Sequence, residues 1–294
     1  MPRTKRARPQ VGESSNPSRR EEQQPQMQSY PTDDFLTESH ALAFPNFSAR
    51  PIVTGRRVNL PSQYDALLIS KLEAMGWKNL INFPQKVYPR LVALFYVHQR
   101  ATQEEDGNFT LLSYVKGKGI QFDIPTLVSI VGVELGVENI HFQTEGELAN
   151  IVGNATDVLT TICRNRFTGT SLQARHLKPH LRILHQWIIE NVTPKKAHHD
   201  AVPYFNAYLL YCFEVGQKVD LCYIIMKEMV LANQGQFTGR SLLFGTLLTK
   251  IFKHFKVHLA DEMDIKIRSP INQYTVTRAF VGSRFFSGPG RPMG

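Results

Sequence analysis

The chain has 294 residues, 42% of them apolar, which is enough to bury one substantial core and excludes a wholly disordered polymer. Its formal charge is +9, yet residues 1–20 alone hold six Arg and Lys against one Glu, so the rest is close to neutral and a basic groove built into the fold is not expected. Three cysteines, Cys163, Cys212 and Cys222, without a C-x-x-C spacing exclude a disulfide framework or zinc knuckle, and the apolar runs 91–97 and 207–213 fall far short of the roughly 18 residues of a membrane span; a soluble, non-secreted chain in a reducing compartment is expected.

Residues 1–45 are rich in Pro, Gln, Ser, Arg and Glu and are expected to be a disordered basic tail. A helical domain is expected over 46–270 and a second tail over 271–294. Its first helix follows Pro61, with Tyr64, Leu68, Leu72 and Met75 on one face and Gly76 as a left-handed stop. A second spans about 87–99, with Pro89 in its first turn. Residues 109–115 and 119–122, joined at Lys116-Gly117-Lys118, form a β-hairpin pattern, and Asp123 caps a helix that stops at Gly132. A short helix is expected near 144–152. Leu181, Leu184, Trp187 and Ile188 mark another that ends before Pro194, Pro203 opens the next as far as Gly216, and Asp220 caps a third. The last follows the stripe Phe244, Leu247, Leu248, Ile251 and Phe255. The expected fold is therefore mainly α, a multi-helix globular domain with one small hairpin and disordered termini. No repeat at solenoid spacing is present.

Lys5, Arg6 and Arg8 form a KRAR cluster with the charge density an import receptor reads, so a nuclear location is expected, the alternative being a plain solvated tail. Lys250, Lys253 and Lys256 lie off the last apolar stripe and are candidate phosphate contacts; cations favoured by the helix dipole are the structural alternative. Gly290-Arg291-Pro292 is a weak minor-groove motif without flanking basic residues, and a flexible tail explains it better. The i, i+4 pairs His176/His180 and His254/His258 lack the HExxH glutamate, so no metal site is expected, and His198-His199 reads as part of a polar loop. Lys118 is followed by Gly119, which a phosphate loop does not allow, and no G-x-S-x-G elbow is present. Asp65, Asp123, Asp157, Asp220 and Asp264 are available for two-metal chemistry, but most have simpler roles at helix starts. No catalytic residue and no cofactor are expected. The helix carrying Tyr204, Phe205, Tyr208, Tyr211 and Phe213 is apolar on more than one side, which suits either an exposed adhesive face or a buried central helix.

Met75-Gly76-Trp77, Val87-Tyr88-Pro89 with Leu91-Val92 and Phe95-Tyr96, then the blocks 119–124, 181–187 and 243–249 in order, resemble the plant transposon protein domain of retroelement-derived reading frames. The resemblance runs over 50–260 and extends distantly to the plant mobile domain. It implies an association with plant mobile elements, chiefly long-terminal-repeat retrotransposons, and supplies no catalytic residues. The function expected is a non-enzymatic interaction or assembly module with protein partners or self-association; the alternatives are a nucleic-acid-binding protein using the basic tail and Lys250, Lys253 and Lys256 and, behind it, a divergent metal-dependent nuclease or integrase. No membrane partner is expected.

Overall fold

A computed structural model describes residues 30–59, 62–81, 84, 86–103, 109–137, 139–142, 144–194, 199–233 and 241–272. Among them the chain runs α1 (Glu38–Ser48), α2 (Ser62–Ala74), β1 (Lys86–Val87), α3 (Pro89–His98), β2 (Arg100–Gln103), β3 (Phe109–Val115), β4 (Lys118–Asp123), α4 (Ile124–Val131), α5 (Glu145–Val152), α6 (Ala155–Ile162), α7 (Pro179–Asn191), α8 (Tyr204–Val215), α9 (Leu221–Asn233), α10 (Gly245–His254) and β5 (Ile265–Lys266). The architecture is mainly α with small sheets of two and three strands.

Helix α3 lies at the centre because its apolar residues leave no polar face. Pro89 starts it, and Leu91 to Tyr96 are all buried. Helix α1, strand β3 and helix α10 pack around it. The Phe95 ring lies 6.5 Å from Phe122 and 6.3 Å from Phe252, so one helix gathers aromatic groups from the sheet and from α10. Each such burial contributes about 1.5–3 kcal/mol.

Strand β3 alternates strictly, turning Phe109, Leu111, Ser113 and Val115 inward, and Ser113 Oγ donates to the Phe95 carbonyl at 2.8 Å. Lys116 and Gly117 both take positive φ, 48° and 72°, which is the primed turn that a two-residue hairpin requires. The expected hairpin is formed by β3 and β4, and further short strands accompany it. Strand β2 pairs with β3 on its free edge, and β1 pairs with β5 far along the chain. All four β2 residues are exposed, so no alternating apolar pattern announced that strand.

The expected disordered segment 1–45 is corrected at its end. Residues 30–37 and helix α1 are ordered against the sheet and α3. Thr37 caps α1, Phe35, Phe44 and Phe47 pack on the core, and the Tyr114 hydroxyl donates to the Thr32 carbonyl at 2.9 Å. Tertiary contact stabilises this short helix against a composition poor in apolar periodicity. The folded unit therefore begins before residue 46, and residues 1–29 and 273–294 lie outside the described residues.

Helix α8 settles as the buried alternative rather than an adhesive face. Phe205, Tyr208 and Phe213 are buried, Tyr204 and Tyr211 partly so, with α5, α6, α7 and α2 around them. Helix α7 is buried along almost its whole length and carries polar groups inward. Asn191 accepts from the Arg56 N–H and donates to the Arg56 carbonyl, both at 3.0 Å, acting as a strand partner for the extended segment 50–59. The Arg56 guanidinium lies 3.4 Å from Glu190 and donates twice to the Ser269 carbonyl, at 2.9 and 2.7 Å. These contacts fasten both ends of the domain to α7.

Gly136 allows the approach of another segment. A Cβ there would stand 2.2 Å from the Asp220 Cα, so no other residue fits without displacing the backbone at the start of α9. Asp220 itself caps α9 by accepting from the Tyr223 N–H at 2.8 Å.

Candidate functional site

Lys5, Arg6 and Arg8 lie outside the described residues, as do Gly290-Arg291-Pro292 and His198. Lys250, Lys253 and Lys256 do not form a common phosphate-facing row, which corrects the reading of a helical stripe. Lys250 turns inward and donates to the Val131 carbonyl at 2.8 Å, closing the last turn of α4, and burial lowers its pKa. Lys253 is exposed in the last turn of α10, while Lys256 follows the helix end with φ 54°. Three-residue spacing fails because the helix stops at His254.

The histidine pairs separate as well. His176 stands beside Phe167, His180 bonds Glu214 at 3.0 Å, His254 meets Phe255 edge-on, and His258 approaches Asp261 at 3.5 Å. His199 is not confined to a polar loop, since its Nδ1 comes 3.8 Å from the buried Glu190. The aspartates are spread through the fold: Asp123 accepts from the Thr126 N–H at 2.8 Å, Asp65 and Asp157 sit in the first turns of α2 and α6, and Asp264 pairs with Lys86. Among the described residues no three His, Cys, Asp or Glu gather at metal-binding distance. The three cysteines are buried, and burial raises the thiol pKa of Cys163 and Cys222, so neither is an activated nucleophile.

The arginine-rich loop between α6 and α7 has a different character. Its ends are held by an antiparallel bridge between Cys163 and Leu177, with Arg164 N–H donating to the His176 carbonyl and Lys178 N–H to the Ile162 carbonyl, both at 2.9 Å. A second bridge, Gln173 to Ala201, anchors its later leg. The loop thereby frames an open cleft of about 590 Å³ lined by Arg164, Arg166, Arg175, His176, Gln173, Asn165, Phe167 and the run 168–171, with no Asp or Glu in the lining. Arg164, Arg166 and Arg175 are exposed, and no ion pair is formed by them among the described residues.

Charge accumulates beneath the loop as well. Arg182 on α7 donates to the carbonyls of Leu177 at 2.9 Å and Arg175 at 2.8 Å, so it props the loop while adding a fourth guanidinium. Burial, then the charge of Arg164, lowers the Arg182 pKa. Burial, then Arg175 and Arg182, lowers that of His176, so the imidazole is held neutral in a positive field. The Gln173 N–H points at His176 Nδ1 at 3.2 Å and Arg175 Nε at its Nε2 at 3.3 Å, but a neutral ring accepts at one nitrogen only. The backbone contact belongs to the turn over Ala174–His176, so it and the Arg175 guanidinium compete for one ring acceptor.

An arginine fork set with hydroxyls and backbone groups, without a competing carboxylate, suits phosphate or another oxyanion. Neighbouring basic groups are spent elsewhere: Lys71, Lys178 and His180 all converge on Glu214. Residues 164–175 carry no apolar periodicity and no recognised motif, and the only regular turn among them is Ala174–His176; the legible signal is a basic residue on either side of Asn165 followed by Phe167 and small hydroxyl residues. Local crowding of cations on the fold also corrects the expectation drawn from its near-neutral total.

The described residues contain no helix long and apolar enough to cross a membrane. The family model of a plant retrotransposon-related domain matches residues 73–258, from the last turn of α2 to just beyond α10, and includes the whole arginine cleft. No curated protein and no solved structure matches the chain.

Proposed function

The chain belongs to the plant retrotransposon-related domain family and is transposon-derived, and from that premise we propose that it is a non-enzymatic binding module whose partner is a polyanion. The observation that carries this reading is the cleft of Arg164, Arg166 and Arg175, open to solvent and free of lining carboxylates. The carboxylates that hydrolytic or strand-transfer chemistry would gather are engaged in helix caps and ion pairs instead, as with Asp123, Asp220, Asp264 and Glu214. In this reading Lys5, Arg6 and Arg8 act as an import signal and bring the module to the nucleus, where its polyanionic partner is nucleic acid.

The test is to incubate the full chain with an end-labelled oligonucleotide and Mg²⁺ or Mn²⁺, then resolve bound, free and cut strands. Intact strand in a complex that dissociates as salt rises is the expected result. Metal-dependent cutting, or no complex at low salt, contradicts the proposal.

A further inference from the structure

The arginine cleft continues past Phe167 into a second groove of about 490 Å³, and the two share Phe167 and residues 169–171. The second groove is more apolar, bounded by Leu159, Val202, Pro203 and Tyr204. Phe167 thus stands between a cationic basin and a more apolar groove. Its ring is partly exposed, lies 5.0 Å from the His176 imidazole, and is backed by Gly169, where a Cβ would come within 3.0 Å of the ring edge.

We propose that the loop 164–176 binds single-stranded nucleic acid, with backbone phosphates on Arg164, Arg166 and Arg175 and an unstacked base against Phe167 in the adjoining groove. This deepens the polyanion reading and rests on it. Cations that track a phosphodiester beside an aromatic platform are the pairing that single strands use, because every base offers a π-face regardless of sequence. In a duplex those faces are covered by neighbouring base pairs, so the phosphates would meet the arginines while the aromatic ridge stayed empty. The bridges at Cys163–Leu177 and Gln173–Ala201 hold the ridge in place before ligand arrives, which limits the ordering cost of binding.

The experiment compares the full chain with F167A and F167W on labelled oligonucleotides of about 12 nucleotides, offered as single-stranded DNA, single-stranded RNA and duplex DNA. The expected result is a loss of about tenfold in single-strand affinity for F167A with duplex affinity unchanged. F167W is expected to keep single-strand affinity and to show emission quenched by the single strand but not by the duplex, a readout that a purely structural role would not move. The DNA and RNA arms show which sugar is preferred, and either preference fits the proposal. Unchanged single-strand affinity in F167A, or equal loss on strand and duplex, overturns it. In either case the unaltered chain still binds, so the polyanion reading stands; absence of binding to all three probes by the unaltered chain instead removes that reading.

Discussion

Glu214 shows how a single carboxylate is committed to structure. Lys178 and His180, at the start of α7, each stand 3.0 Å from it, and Lys71 of α2 stands 3.3 Å away. Burial alone would raise its pKa, but the hydrogen bonds from His180 and Lys178 and the charges of His180 and Lys71 outweigh it and bring the value down to about 2. A carboxylate depressed in the folded state stabilises fully above its unfolded value and loses that contribution as pH falls through the folded one. Unfolding in denaturant is therefore expected to need less denaturant as pH drops from about 4.5 towards 2, and E214Q is expected to flatten that response. An unchanged pH dependence in E214Q contradicts the assignment. Lys250 gives a second residue-scale test: K250M should cost about 1 kcal/mol through the lost bond to Val131 and leave oligonucleotide affinity unaltered, measured by denaturant titration and by binding. Residues with local roles, such as Asp123, Asp220 and Gly76, were legible because capping chemistry acts within a few positions. Arg164, Arg166 and Arg175 were not, since their meaning depends on the Cys163–Leu177 bridge that folds the loop back and on which other cations Glu214 withdraws.

At the scale of elements, α1 is held by contacts that titrate. The His40 and His98 rings lie 4.4 Å apart, with Arg100 of β2 and Tyr114 of β3 facing the same point. Burial, then Arg100, lowers the His40 pKa. Burial also leads for His98, with His40 and Arg100 adding to it against hydrogen bonds to the backbone of Leu94 and Tyr114. Imidazoles depressed in the folded state stabilise above their ordinary value near 6.5 and lose that contribution below it. Hydrogen exchange over Glu38–Ser48 is expected to rise at about pH 5.5 relative to about pH 7.5, after correction for intrinsic rates, while α3 stays protected. Equal protection of α1 at both pH values would remove this account. A cap offers a simpler measure: D123A should destabilise by about 1 kcal/mol in a denaturant titration, through loss of the bond from Thr126 N–H. Most helices declared themselves by apolar spacing, and α3 and α10 match the expected segments within a few residues. Helix α1 and strand β2 stayed hidden because a composition-based reading overrode the few aromatic anchors of the first, and the second is exposed at every position and exists only through its partner β3.

For the whole molecule, net charge misdirected the reading while its distribution is informative. Much of the basicity lies in residues 1–20, and the near-neutral remainder suggested a fold without a cationic surface. Folding sorts that remainder, pairing Lys71, Lys86, Lys116 and Lys178 with carboxylates and leaving Arg164, Arg166 and Arg175 together around one opening. One buried cluster runs from Val53 to Ile271, so the cleft stands on the same core as α3 and is not an appended tail. The most direct measurement is the salt dependence of single-strand affinity for three chains: unaltered, R164Q/R166Q/R175Q, and K5Q/R6Q/R8Q. If the cleft carries the contact, neutralising its three arginines lowers the slope of log affinity against log salt by about 2, and altering the tail lowers it less. A cleft variant that keeps the full slope while the tail variant loses it would place the contact in the tail and contradict the account.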